Sequence, residues 1–255
     1  MRLATENLVV SYGKDPIVKS VDVVIPKGKI TALLGPNGCG KSTLLKALSR
    51  ILPAQQGQVL WNDKPIEQTP SKQLAQHLAL LPQAQEVPEG VTVREAVSYG
   101  RSPYTGFWGQ LSAEDKNMVE KTMSATGVQE FADRSVVDLS GGQRQRVWLA
   151  MTIAQDTDYI LLDEPTTYLD LNHQVELMKL LRTLNQQGKT IVTVLHDINQ
   201  ACRYCDHLIV MKSGKVVTQG EPQQVLTRDV LKQVFELEAE IHQDPIAKTP
   251  MCVVL

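Results

Sequence analysis

Three short stretches carry residues whose types and spacing suit chemistry on a polyphosphate. Gly35-Pro36-Asn37-Gly38-Cys39-Gly40-Lys41-Ser42 follows the spacing G-x-x-x-x-G-K-[ST]. Glycines let the backbone turn so tightly that several N–H groups point at the same oxygens. A helix starting at Lys41 presents its positive end to the same anion. Lys41 suits neutralisation of β- and γ-phosphates, and Ser42 suits ligation of Mg²⁺. Asp163-Glu164 forms the second stretch, at the end of the apolar run Tyr159-Ile160-Leu161-Leu162. Adjacent carboxylates beside a buried strand are costly unless positive charge offsets them, which a magnesium–phosphate centre does. Asp163 then suits the Mg²⁺ shell, and Glu164 suits orienting or deprotonating an attacking water. Third comes Leu139-Ser140-Gly141-Gly142-Gln143, opening a helical run with a hydroxyl, two glycines and several N–H groups. The first loop already cradles one nucleotide's phosphates. The simplest use of this second cradle is the γ-phosphate of a nucleotide held by another molecule.

These groups need strands and helices to place them. Residues 3–10, 17–25 and 29–34 are β-rich runs separated by Gly13-Lys14-Asp15-Pro16 and Pro26-Lys27-Gly28. Leu44, Leu45, Leu48 and Ile51 recur at helical spacing, which predicts a helix over 41–51. Residues 57–61 and 77–81 read as further strands. From 84 to 157 the pattern turns helical, at 113–126 and 143–154, with an ordered Gly/Pro/aromatic loop over 99–108. The α/β pattern then resumes with a strand at 159–162, a helix at 171–186 and a strand at 191–195. A hairpin follows around Ser213-Gly214, and residues 240–255 read as a strand-bearing tail. The expectation is an α/β nucleotide-binding core of residues 1–83 and 158–255 with a helical subdomain, 84–157, inserted into it.

Composition narrows the classes. The 26 basic and 28 acidic side chains nearly cancel, which weighs against nucleic acid as a partner. No run approaches the roughly 18 apolar residues of a membrane span, and no signal-peptide pattern opens the chain, so it reads as cytoplasmic. Four cysteines are too few for a disulfide framework at this length. Cys202 and Cys205 form a C-x-x-C with no second pair at ligand spacing and read as structural. Cys39 lies two residues from Lys41 at a helix N-terminus, surroundings that favour a thiolate, so thiol reagents are expected to inactivate the protein.

A phosphate loop, then Leu-Ser-Gly-Gly-Gln, then an Asp-Glu strand resembles the ABC transporter ATPase family, and the resemblance covers essentially the whole chain. It implies a P-loop NTPase ABC cassette: a RecA-like core with an antiparallel β subdomain, plus the inserted helical subdomain. It implies ATP and Mg²⁺ as cofactors, with ATP contacts from Gly35, Pro36, Asn37, Gly38, Cys39, Gly40, Lys41, Ser42 and Thr43. Tyr12 matches the aromatic residue that stacks on adenine. Gln83, after Leu80-Leu81-Pro82, matches the glutamine that contacts Mg²⁺ and water. His196 matches the switch histidine near the γ-phosphate, and Asp170 matches an inter-subunit aspartate. By the same resemblance the chain forms a head-to-tail homodimer with two ATP molecules at the interface. Ser140, Gly141, Gly142, Gln143 and Asp170 then serve the site of the opposite chain. His77, His173, His207 and His242 have no such motif context.

Gly90-Val91-Thr92-Val93-Arg94-Glu95-Ala96-Val97-Ser98-Tyr99-Gly100-Arg101-Ser102-Pro103 and His196-Asp197-Ile198-Asn199-Gln200-Ala201 resemble the ATPases of bacterial iron(III)–siderophore and vitamin B12 importers. Within that group the chain is most similar to the ATPases of ferric dicitrate importers, through Asn37-Gly38-Cys39-Gly40, Thr166-Thr167-Tyr168-Leu169-Asp170 and Glu238-Ala239-Glu240-Ile241-His242. The resemblance implies two membrane permease subunits and, through them, a substrate-binding protein. It places the chain peripherally on the cytoplasmic face of the bacterial inner membrane. Residues 87–101 with Tyr104, Phe107 and Trp108 are the candidate permease-docking surface. An exporter motor, or a soluble ABC ATPase acting on DNA or ribosomes, would share every ATP residue. The siderophore-type stretches argue against the first. The absence of a tandem cassette or long coiled coil argues against the second.

Overall fold

The computed structural model describes residues 1–13, 15–83, 89–106 and 109–255. Val87, Pro88, Phe107 and Trp108, four members of the candidate docking surface, lie outside the described residues. The chain divides into two compact units, Met1–Thr69 with Thr190–Leu255, and Pro70–Lys189.

In the first unit, Ile30–Leu34 pairs in parallel with Thr190–Val194 and with His207–Lys212, which turns back antiparallel into Lys215–Gly220. Every residue of Ile30–Leu34 and of Thr190–Val194 is buried, as expected of parallel strands covered on both faces. A second, antiparallel sheet is centred on Leu3–Ser11, which pairs with Pro16–Val21, Val24–Ile25 and Gln56–Trp61. The β-rich run over 17–25 is thus two strands. Thr5 interrupts it: its hydroxyl donates to Val21 O and accepts from Val23 N, so a side chain takes over part of the ladder there.

The helix after the phosphate loop, Lys41–Leu48, stops before Ile51. Arg50 takes a left-handed φ of 60°, its amide bonds back to Ala47 O, and Ile51 is left exposed. Short helical turns at Pro222–Val225, Arg228–Val230 and Leu231–Phe235 follow the last strand of this sheet and have no clear sequence periodicity. The tail forms a hairpin, Ala239–Gln243 with Pro250–Val254. Asn199, on the helix Ile198–Tyr204, exchanges two hydrogen bonds with the backbone of Cys252 and docks that hairpin.

In the second unit, Leu78–Leu81 pairs in parallel with the fully buried Tyr159–Leu162. The helices Val93–Ser98, Ala113–Ala125 and Gly141–Ala154 each open on a capping box, Thr92/Glu95, Ser112/Asp115 and Ser140/Gln143. The expected loop over 99–108 begins as a 3₁₀ turn, Tyr99–Arg101. Gly100 lies so close to the signature helix Gly141–Ala154 that an added Cβ would stand 2.2 Å from Met151 O. The next residue explains why the turn is held there. Arg101 is buried, with Nε 2.8 Å from Asp115 Oδ1, Nη1 donating to Ala154 O at 2.8 Å, and its guanidinium 4.0 Å from the Tyr104 ring centroid. Hydrogen bonds from Ser112 chiefly, and from Arg101, hold the Asp115 carboxyl below its ordinary range.

All four cysteines are buried thiols. Cys202 and Cys205 are packing residues, and burial pushes the Cys202 thiol up to about 12. The thiolate expected at Cys39 is corrected by its surroundings. The side chain is 3% exposed, and burial raises its pKa despite the Lys41 ammonium 4.0 Å from Sγ.

Two outcomes are expected. In the native chain Ellman's reagent modifies none of the thiols on the timescale in which the urea-unfolded chain reacts at all of them. Arg101→Ala leaves the Asp115 carboxylate buried without its cation and lowers stability by about 3–5 kcal/mol in urea titrations.

Candidate nucleotide-binding site

The phosphate loop lies wholly in the first unit. It leaves the strand Ile30–Leu34 through Gly35, whose φ of +144° suits glycine and where an added Cβ would stand 2.1 Å from Met211 O. The far side is tied to the Ser213-Gly214 turn, because Gly214 N donates to Cys39 O at 3.0 Å. Lys41 is 5% exposed, and its Nζ donates to Gly35 O at 2.8 Å and Pro36 O at 3.1 Å. Gly40 caps the helix with no side-chain bond, so no hydroxyl or carboxylate from the cap competes for its first amides. A buried cation beside an uncapped helix N-terminus is a receptor for an anion. Asn37 and Gly38 are exposed, Ser42 is half-buried and Thr43 is buried. Tyr12, more than half exposed, belongs to the same unit. So does His196, exposed between Leu195 and Asp197, which caps the helix Ile198–Tyr204.

The carboxylate pair lies in the second unit. Asp163 is 1% exposed and its amide continues the strand pairing by donating to Leu81 O at 2.9 Å. Glu164 takes a left-handed φ of 52°, a conformation costing a non-glycine residue about 1–3 kcal/mol. This departure from strand geometry is how neighbouring side chains escape simple up-and-down alternation. Gln83, just beyond Leu78–Leu81, donates from Nε2 to Glu164 Oε2 at 2.8 Å, and Thr167 Oγ1 lies 3.4 Å from the same oxygen. Gln83 and Glu164 are therefore directly bonded.

Ser140, Gly141, Gly142 and Gln143 form the N-terminus of the signature helix. The Ser140 hydroxyl accepts from Gln143 N, and Gln143 Oε1 accepts from Ser140 N at 2.9 Å. The segment after Glu164 packs against this end. Gln145 Nε2 donates to Pro165 O, and a Cβ on Gly142 would stand 3.1 Å from Tyr168 O. The two segments line an open cavity of about 540 Å³ whose wall includes Ser140, Gln143, Tyr168 and Asp170. Asp170 caps the helix Leu171–Gln186 by accepting from His173 N. That bond chiefly, with the charges of His173 and Arg146, keeps its carboxyl below the ordinary range. Arg146 and His173 also line this cavity, and neither was singled out from the motifs. The available clue was position: a residue three beyond a helix-capping aspartate can reach back to it.

The ABC transporter family model matches residues 18–167. The iron(3+)-hydroxamate import ATP-binding protein FhuC of Bacillus subtilis (strain 168) is 50% identical over 98% of this chain and 94% of its own length. The ferric enterobactin transport ATP-binding protein FepC of Escherichia coli (strain K12) is 46% identical over 100% of this chain and 94% of its own. Among solved structures, a dimeric post-hydrolysis state of the ATP-binding cassette MJ0796 bound to ADP and Pi superposes with a TM-score of 0.77. It is 28% identical over 86% of this chain and 98% of that one. With its phosphate loop, carboxylate pair and second helix N-terminus, the chain belongs to the ABC transporter family and is an ATP-binding, ATP-hydrolysing cassette of the P-loop NTPase fold.

Proposed function

We propose that this chain is the motor subunit of a bacterial ABC importer that takes up an iron(III) chelate through separate permease subunits. The observation that carries the hydrolytic half of this reading is the end of Tyr159–Leu162, where buried Asp163 is followed by Glu164, held on Gln83 in a strained conformation. Lys41 and the loop amides bind the ATP phosphates, with Gly35, Pro36, Asn37, Gly38, Cys39, Gly40, Ser42 and Thr43 shaping the cradle and Tyr12 stacking on the base. Glu164 holds the attacking water and accepts its proton. Gln83 and His196 orient water and γ-phosphate.

Mg²⁺ suits the donor set. Ser42, Gln83 and Asp163 offer hard oxygens, and among the described residues no cluster of three or more His, Cys, Asp or Glu forms an all-protein metal cage. Mg²⁺ characteristically binds through phosphates plus one or two protein groups. Once bound, it neutralises charge building on the phosphate oxygens.

Two copies pack head to tail, so that Ser140, Gly141, Gly142, Gln143 and Asp170 of one chain complete the site of the other, the isologous arrangement that a two-fold axis closes. Residues 1–83 and 158–255 act as the nucleotide-binding core, and 84–157 as the inserted helical subdomain. Part of the permease-docking surface lies on Val93–Ser98 and Tyr99–Arg101, where Tyr99 is exposed. No helix among the described residues is long and apolar enough to cross a membrane. That fits a peripheral subunit on the cytoplasmic face of the inner membrane, working with two permeases and a substrate-binding protein.

Relatives named for hydroxamate, petrobactin and enterobactin chelates support iron(III) chelates as the cargo class. The ferric dicitrate resemblance, through residues 37–40, 166–170 and 238–242, favours citrate within it.

Cells lacking their own ferric importers, given this chain with its permease and binding protein, should take up radiolabelled ferric citrate or another single ferric chelate. Glu164→Gln should keep ATP binding, lower turnover by about 10²–10⁴-fold and abolish uptake. Brisk phosphate release by that variant removes Glu164 from the mechanism. Failure to take up any chelate, with ATPase activity intact, removes the iron assignment.

A further inference from the structure

We propose that His173 is a positioning residue that fixes the side chain of Asp170 before the second chain arrives, and so raises the affinity of the ATP-bound dimer. The inference rests on the head-to-tail dimer proposed above.

Asp170 is a solvent-facing carboxylate, its side chain 68% exposed at the tip of a helix. Such a group ordinarily samples several rotamers, and ordering it on association opposes binding. Here both bonds to the carboxylate fall on one oxygen and come from one residue. Oδ1 accepts from His173 N at 2.9 Å and contacts His173 Nδ1 at 2.8 Å. Capping the helix needs only the first of these. The second is additional, and it points to a different purpose.

The capping boxes elsewhere in this unit close in another way. Glu95, Asp115 and Gln143 each reach back to the backbone amide of the cap residue, satisfying a helix-end donor. Glu95 and Asp115 accept from the cap hydroxyls of Thr92 and Ser112 as well, whereas the side chain of His173 leaves the cap amide alone and meets only the cap carboxylate, through Nδ1. Its bond restrains the Asp170 carboxylate through Oδ1 and leaves Oδ2 without a bond among the described residues.

Location separates this pair from the other histidine–carboxylate contacts. His77 with Asp158 and His242 with Glu240 line neither described cavity. His173 lines both the 540 Å³ cavity shared by Ser140, Gln143 and Asp170 and a neighbouring one of about 260 Å³. Arg146 and Leu169 stand on both walls as well, while Glu176 is the further charged group on the second. The imidazole therefore sits where the Asp170 turn meets the signature helix.

The test measures dimerisation of the full-length chain with Mg-ATP by analytical ultracentrifugation, in a Glu164→Gln background that traps the bound state. Added His173→Ala is expected to raise the dimer dissociation constant about tenfold or more, as loss of a charge-assisted bond in each copy implies. Added His173→Asn is expected to stay within about threefold of the parent, because its amide nitrogen can stand in for Nδ1. ATP binding by the single chain should not change. Were the alanine variant to misfold, His173→Leu against His173→Asn makes the same comparison. A parent-like constant for His173→Ala, or Asn as defective as Ala, overturns the role. A Glu164→Gln parent that forms no ATP-dependent dimer overturns the dimer reading itself, and this role with it.

Discussion

The Lys41 ammonium, buried and resting on the carbonyl oxygens of Gly35 and Pro36, is the interaction around which the first unit is organised. A cation withdrawn from water is costly unless matched by negative charge or dipoles. Two carbonyls supply part of that match, and a polyphosphate supplies a much larger share. Keeping the carbonyls in place requires a loop whose backbone is pressed against its neighbours. Gly35 meets Met211 O closely, and Cys39 O accepts from Gly214 N. The strands Ile30–Leu34 and His207–Lys212 pair from Thr31 with His207 through Leu34 with Val210, and so bring both segments to the same end of the sheet. Burial of Cys39 is one consequence, and it disfavours the thiolate.

The helix ends divide the remaining work. The helices Val93–Ser98, Ala113–Ala125 and Gly141–Ala154 close their N-termini with capping boxes, whereas Lys41–Leu48 has only Gly40 at its cap and no side-chain bond. An uncapped end keeps its amides for a ligand, while a capped end is satisfied in the single chain. Ser140 belongs to the second kind, being bonded reciprocally with Gln143. The donors of the signature end are thus satisfied by its own side chains within the single chain. Glu164 differs again. Its left-handed conformation is held by the strand pairing before it and by bonds from Gln83 and Thr167. Strain maintained in this way at a carboxylate fits a group kept ready for proton transfer.

Much of this was legible in the residues, for physical reasons that also explain what was not. Continuous apolar runs such as Tyr159–Leu162 are unambiguous because a strand buried on both faces has no polar alternation. Residues 17–25 read as one β-rich run in spite of Lys19, Ser20 and Asp22, but at their division the Thr5 hydroxyl from a different strand bonds both Val21 and Val23, which no local pattern reveals. Ile51 continues the spacing of Leu44, Leu45 and Leu48, yet the left-handed Arg50 takes it out of the helix. Cys39 looked reactive because its chain neighbours are a lysine and a helix start. Its burial comes from packing that chain neighbours do not disclose. His173 carried no motif context in the sequence because a side-chain bond to the cap at 2.8 Å is a matter of rotamer and not of residue type.

The central claim is that each catalytic site is assembled from two copies of this chain. It is tested most directly by mixing two inactive variants, Lys41→Ala, which loses the phosphate-binding cation, and Ser140→Arg, which blocks the signature cradle. In a mixed dimer one site carries both defects and the other carries none. Steady-state ATPase activity should therefore return on mixing, approaching about a quarter of the wild-type rate for random pairing with independent sites. If the mixture stays at the average of the two inactive variants, although mixed dimers are shown to form, the two-chain site is contradicted and catalysis must be completed within a single chain.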